Sequence, residues 1–134
     1  MNKVLFTILV VFTLFGFMQI NNIQQEKWVA PASAKKITNP VSVKKRSSSA
    51  KKGAKLFSQY CVVCHGKIGK GDGVGGKALN PKPANLTSVT VQNQVDGEVF
   101  WKISNGRNAM IKWEPILSES DRWTLVNYVR TLKE

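Results

Sequence analysis

The 134-residue chain carries 20 basic against 8 acidic side chains, a net charge of +12, with two cysteines and one histidine. A length of this order supports one domain, and three Cys and His side chains in all are too few for a four-ligand structural zinc site. Nine of the twenty basic residues but only one acid, Glu26, fall in residues 1–52, so the charge sits mainly at the front of the chain.

Val4 to Met18 is an apolar run broken only by Thr7, Thr13 and Gly16 and preceded by Lys3. It reads as an export segment. Extended to Ile20 it approaches the ~20 apolar residues of a membrane span, so residues 1–20 are either a signal peptide or an N-terminal membrane anchor. Ala32-Ser33-Ala34 has the small-x-small form of a cleavage site, although it lies well past the apolar run. Residues 21–49, with Lys35-Lys36, Lys44-Lys45-Arg46 and the run Ser47-Ser48-Ser49, read as a basic, flexible, solvated tether. Contact of residues 1–52 with a membrane surface of anionic headgroups, or with an acidic partner, is the rival reading. An exported chain leaves nucleic acid aside as a partner.

The periodicity predicts a first helix from Ala50 to Cys64, with Ala54, Phe57, Cys61 and Cys64 at helical spacing and Ser47 to Ser49 offering caps. Gly53 inside it costs helix propensity and suggests that another helix crosses there. Cys61-Val62-Val63-Cys64-His65 gathers both cysteines and the histidine into five residues. On one helical turn, i and i+3 share a face, so two thiols can add to the vinyl groups of one porphyrin edge while the next residue offers an imidazole to its iron. A thioredoxin-like dithiol needs a βαβ setting that the flanks lack. A plain disulfide, or a pair of buried thiols, stays open.

Six glycines between Gly66 and Gly76 create a dinucleotide lookalike and a near-Walker loop, but neither follows a predicted strand, and Ala78 stands where the latter needs Ser or Thr. A loop lying close to a flat ligand accounts for them more simply. Leu79-Asn80-Pro81-Lys82-Pro83 follows as a stiff loop. A middle helix is predicted from Asp96 to Asn105, packing Val99, Phe100 and Ile103 and stopped by Gly106. A last helix opens at Ser118, with Asp121 approximating a capping box, and runs to about Leu132. Its stripe is Leu125, Tyr128, Val129 and Leu132, with Thr124, Asn127 and Thr131 facing away. No strand pair is visible, so the class is all-α.

The Cys-x-x-Cys-His motif, the proline-rich loop, the Asn108-Ala109-Met110 segment and the closing amphipathic helix together resemble a class I mono-haem cytochrome c over residues 50–134. That resemblance implies a small cytochrome c fold of three or more helices around one covalently attached haem c, held by Cys61 and Cys64, with His65 on the iron. Because Met1 and Met18 lie in the export segment, Met110 is the thioether left to complete a His/Met axial pair. The resemblance also implies that a carbonyl from Pro81 or Pro83 orients His65, and that an aromatic on the last helix, here Tyr128, packs on Gly53 and Phe57. Arg107 and Trp113 are candidate haem contacts through the propionates. Many relatives place proline directly after the ligand methionine, whereas Ile111 and Lys112 follow here.

The expected function is single-electron carriage between redox protein donors and acceptors on the periplasmic side of a bacterial membrane, with no catalytic residue and no enzyme activity of its own. Lys67, Lys70, Lys77 and Lys82 could steer acidic partners. Two rivals are a small-ligand-binding or sensing haem protein with a displaceable Met110, and an anchored haem subunit of a respiratory complex.

Overall fold

The computed structural model describes residues 27–133, so the expectation of a signal peptide or anchor at residues 1–20 lies outside them. Five helices follow in order: α1, Arg46–Tyr60; α2, the single turn Val62–His65; α3, Val89–Gln92; α4, Asp96–Asn105; and α5, Glu119–Val129. There is no strand among the described residues, only an isolated bridge between Arg107 and Met110, in keeping with the all-α expectation. No helix among them is long and apolar enough to cross a membrane.

Helix α1 starts four residues before the expected Ala50. The serines therefore lie inside its first turns: Ser48 Oγ donates to the Lys45 carbonyl at 2.9 Å, and Ser49 Oγ accepts from Asn127 Nδ2 at 2.9 Å. At Gly53 the helix crosses α5 so closely that a Cβ there would stand 2.0 Å from the Thr124 carbonyl oxygen. One turn on, the Phe57 and Tyr128 rings meet with centroids 5.0 Å apart. The glycine and the aromatic pair thus form the crossing that the sequence suggested.

The Ser118 hydroxyl caps α5 by accepting from the Asp121 amide at 3.1 Å. This helix differs from expectation in being buried nearly all round. Trp123, Leu125, Val126 and Val129 enter the core, but Thr124 and Asn127 are also buried. The reason is the crossing itself: the side expected to face water lies beneath α1, where Asn127 bonds Ser49 and Asn39. Thr131 is exposed, as expected. Helix α4 occupies the expected span, contributes Val99, Phe100 and Ile103 to the core, and ends at Gly106 with φ +60°.

Residues 27–49 depart most from the expected tether. Instead of a solvated coil they run as a strap over α4. The 3-10 turn Ala32–Lys36 buries Ala34 completely, and a Cβ on Gly97 of α4 would meet the carbonyls of Ala34 and Ile37 at 2.2 and 2.4 Å. Asn39 Nδ2 donates to Asp96 Oδ2 and to Asn127 Oδ1, both at 2.9 Å. Lysines on the strap's outer side gave it the composition of a tether, while Trp28, Ala30, Ala34 and Asn39 turn inward, where burial and amide bonding hold it.

Candidate haem site

Cys61 ends α1 and Cys64-His65 close α2, so the motif spans a tight helical corner. His65 N–H donates to the Cys61 carbonyl at 2.9 Å and Cys64 N–H to the same oxygen at 3.2 Å. Both cysteines are unpaired and half-buried. Burial, with Cys64 adding, pushes the Cys61 thiol up to about 12, the opposite of the low-pKa thiolate that a dithiol oxidoreductase needs. The disulfide, dithiol and zinc readings all weaken here: the thiols are free, and no three His, Cys, Asp or Glu side chains among the described residues gather as a metal site.

The imidazole of His65 is oriented. Its Nδ1 lies 3.2 Å from the Ala84 carbonyl, which fixes a proton on Nδ1 and leaves the Nε2 lone pair available. Burial lowers the pKa of His65, outweighing the Ala84 hydrogen bond that raises it, so the ring is neutral at pH 7. The expected acceptor was Pro81 or Pro83, and this is corrected to Ala84. The Pro83 carbonyl oxygen lies instead against Gly71, where a Cβ would approach it to 2.4 Å.

The glycine stretch folds back onto the motif rather than forming a phosphate loop. Gly71 N–H donates to the His65 carbonyl at 2.8 Å, Gly73 N–H donates to that of Cys64 at 3.1 Å, and the turn Val74–Gly76 packs on α2. Gly76 admits both the Pro83 ring and the Cys64 carbonyl, contacts at 2.5 and 2.7 Å from any Cβ placed there.

Helix α4 leads directly into the loop that carries Met110. Arg107 and Met110 exchange backbone hydrogen bonds of 3.0 and 2.9 Å, with Asn108 in the left-handed region at φ +53° between them. Met110 is half-buried against the core cluster. Trp113 is buried, its backbone N–H donating to the Ile103 carbonyl and its ring centroid 5.3 Å from that of Tyr60. Arg107 sets its guanidinium 5.1 Å from the Trp28 ring centroid.

Two buried groups escaped the sequence reading. Arg122 lies over the Phe100 ring with Nη1 bonded to Ser104 Oγ, and Trp123 stacks on the same ring with centroids 4.1 Å apart. Arg122 Nε and Trp123 Nε1 find no acceptor among the described residues. The available signal was an arginine directly before Trp123 in a helix that also carries Leu125, Val126 and Val129, since arginine is seldom buried without a purpose.

Comparisons with known proteins bear on the same residues. The family described as cytochrome c oxidase, cbb3-type, subunit III, matches over residues 48–129. The cbb3-type cytochrome c oxidase subunit FixP of Azorhizobium caulinodans is 36% identical over 86 residues, which cover 63% of this chain and 27% of that protein. The chain thus spans about a quarter of that relative's length. Among solved structures, the KustC0563 c-type cytochrome superposes with a TM-score of 0.52 at 26% identity, covering 61% of this chain and 98% of that one. A chain of the Kuenenia stuttgartiensis reducing HAO-like protein complex Kustc0457/Kustc0458 gives a TM-score of 0.61 at 22% identity, over 73% of this chain and 50% of that one, and speaks to fold alone.

The haem c of such a domain fits the residues present: two free thiols on one helical turn, an imidazole held by a carbonyl with one nitrogen left available, and a thioether packed, like Cys61, against the core cluster. The chain therefore belongs to the family of cbb3-type cytochrome c oxidase subunit III, as a mono-haem c-type cytochrome domain.

Proposed function

We propose that this protein carries single electrons between redox proteins on the periplasmic side of a bacterial membrane, with Cys61 and Cys64 holding the haem and His65 and Met110 as its axial ligands. The observation that carries the reading is the corner at residues 61–65, where two unpaired thiols and a carbonyl-oriented imidazole share one turn. The haem, when bound, supplies a one-electron iron couple. The residues bind and orient it: Ala84 fixes the His65 ring, the Arg107–Met110 bridge aims the thioether, and Phe57, Val99, Phe100 and Ile103 exclude water.

Val63, Ile68 and Val74 are exposed beside the Cys corner, with Lys67, Lys70 and Lys77 on the same loops. An apolar patch rimmed by lysines suits brief docking of acidic redox partners. The FixP relative is named as an oxidase subunit, and residues 4–20 could anchor this chain, so service within a respiratory complex is the second reading.

Optical spectra of the haem-loaded protein, oxidised and reduced, with and without carbon monoxide, test the proposal. A low-spin spectrum indifferent to carbon monoxide is expected, and Met110→Ala should become high-spin and carbon-monoxide-reactive. A wild-type protein that binds carbon monoxide readily would move the function to small-ligand binding.

A further inference from the structure

Residues 27–45 lie outside the segment matched by the family, yet they touch the loop that carries Met110. The Trp28 ring packs edge-on against Trp101 with centroids 6.4 Å apart, and two cations stand over it: Lys102 Nζ at 5.4 Å and the Arg107 guanidinium at 5.1 Å. Both distances are within the range where a ring quadrupole attracts a cation. Arg107 is also the first residue of the ligand turn, bonded through N–H and carbonyl to Met110. Below it, Gly106 at φ +60° passes so close to the Met110 carbonyl that a Cβ would stand 2.3 Å away. The turn is therefore a four-residue clasp whose leading side chain is held from outside the family fold.

The holder is itself fixed at points remote from the site. Ala34 and Ile37 lie on Gly97 at the first turn of α4, and Asn39 bonds Asp96 and Asn127. Trp28 is thereby held relative to both ends of α4. Ile111 follows Met110, so the loop's downstream side lacks the fixed φ that a proline there would impose.

We propose that Trp28 is a positioning residue for the axial methionine: its ring holds the Arg107 guanidinium, and the Arg107–Met110 bridge transmits that hold to the thioether. The inference rests on Met110 being the ligand. It assigns the N-terminal strap a role in setting how readily the sixth coordination position opens, and through it the reduction potential.

The test uses the full-length, haem-loaded protein with Trp28→Ala, Trp28→Phe, Arg107→Gln and the Trp28→Ala/Arg107→Gln double variant. Three quantities are read: the association rate of carbon monoxide with the reduced protein, the reduction potential, and the exchange rate of the Met110 amide. Trp28→Ala and Arg107→Gln are each expected to raise carbon monoxide association about fivefold, the factor that loss of one exposed cation–π contact carries. The double variant should add little to either, and Trp28→Phe should fall between. The Met110 amide, bonded to the Arg107 carbonyl, should exchange faster in step.

If Trp28→Ala lowers thermal stability while leaving all three quantities unchanged, Trp28 merely braces the fold and the inference fails. Should that variant not fold, Trp28→Phe and Arg107→Gln decide it on the same readouts. Met110→Ala separates this from failure of the ligand assignment. An unaltered spectrum in Met110→Ala removes the ligand, whereas a high-spin Met110→Ala beside an inert Trp28→Ala removes only the role of Trp28.

Discussion

Asp96 shows how much one side chain can join. Its carboxylate takes Asn39 Nδ2 at 2.9 Å from the strap and Arg130 Nε at 2.8 Å from the turn after α5, and Arg46 of α1 stands 3.6 Å away. Arg130 in turn bonds the carbonyls of Val91, Gln92 and Gln94, stitching α3 to the same point. Burial pushes the Asp96 pKa up, but the Asn39 and Arg130 hydrogen bonds and the two arginine charges outweigh it and hold the carboxyl below its ordinary 3.8. A carboxyl depressed on folding contributes stability above its unfolded pKa, and that contribution is lost as pH falls through the folded value. Asp96→Ala, which takes the carboxylate partner from Arg130 and leaves it only carbonyls, should therefore cost about 3 kcal/mol at pH 7, and Asp96→Asn somewhat less. The deficit should hold down to about pH 4 and narrow below it. Urea denaturation at pH 7, 5 and 3 checks this, and a deficit that widens in acid would contradict the ion-pair account. None of this hub was legible in the sequence, because Asn39, Asp96 and Arg130 are far apart along the chain. The histidine's partner was misplaced for a related reason. The proline-rich loop was correctly brought near His65, but which carbonyl points at the ring depends on the path past Gly71 and Gly76, and that path selects Ala84.

Among elements, the α1–α5 crossing was the most legible, since an interior glycine that costs about 1 kcal/mol of helix propensity calls for a compensating contact. The contact is backbone to backbone. Gly53→Ala would regain that propensity but place a methyl 2.0 Å from the Thr124 carbonyl oxygen and 2.6 Å from its carbon, atoms that no side-chain rotation can move. Overpacking of this kind costs about 1–3 kcal/mol or more, so the net effect should be a loss of roughly 2 kcal/mol. Denaturant midpoints check the sign, and a stabilised Gly53→Ala would show that the helices can part freely. The periodicity failed on the other side of the same crossing. Thr124 and Asn127 look solvent-facing by residue type, but a helix enclosed on several sides shows no single stripe, and polar residues there are buried by bonding: Asn127 to Ser49 and Asn39, and Thr124 Oγ1 to the Asp121 carbonyl at 2.7 Å. The helix boundaries followed turn chemistry more faithfully, with Ser118 capping α5 and Gly106 closing α4 where their φ angles and hydroxyls require.

At the scale of the molecule, the strap changes what counts as the domain. Composition marked residues 21–49 as a tether because Lys and Ser dominate them, but four inward-facing residues are enough to dock a segment when the receiving surface is shaped for it, as Gly97 is for Ala34. This bears on the Ala32-Ser33-Ala34 sequence. A cut after Ala34 would remove Trp28, Ala30 and Ala34, leaving Trp101 uncovered and Gly97 with Ile37 alone upon it. Burying a side chain of this size is worth about 1.5–3 kcal/mol. A chain beginning at Lys35 should accordingly be about 3 kcal/mol less stable than one that keeps Trp28, with the deficit shared between the lost aromatic contact and the exposed α4 surface. Mass spectrometry of the mature protein and unfolding of the two chain lengths address the matter together. The expected outcome is a mature N-terminus at or before Trp28 and a clear stability gap. A mature chain beginning at Lys35 with full stability would make the strap dispensable. The gap should also respond to Asn39→Ala, because Asn39 secures the far end of the strap to Asp96 and Asn127 at 2.9 Å. In a chain already lacking residues 27–34 that substitution should cost little beyond its own hydrogen bonds, whereas in the longer chain it should release the strap as a unit, and the difference between the two measures how far the segment folds cooperatively with the helices it covers.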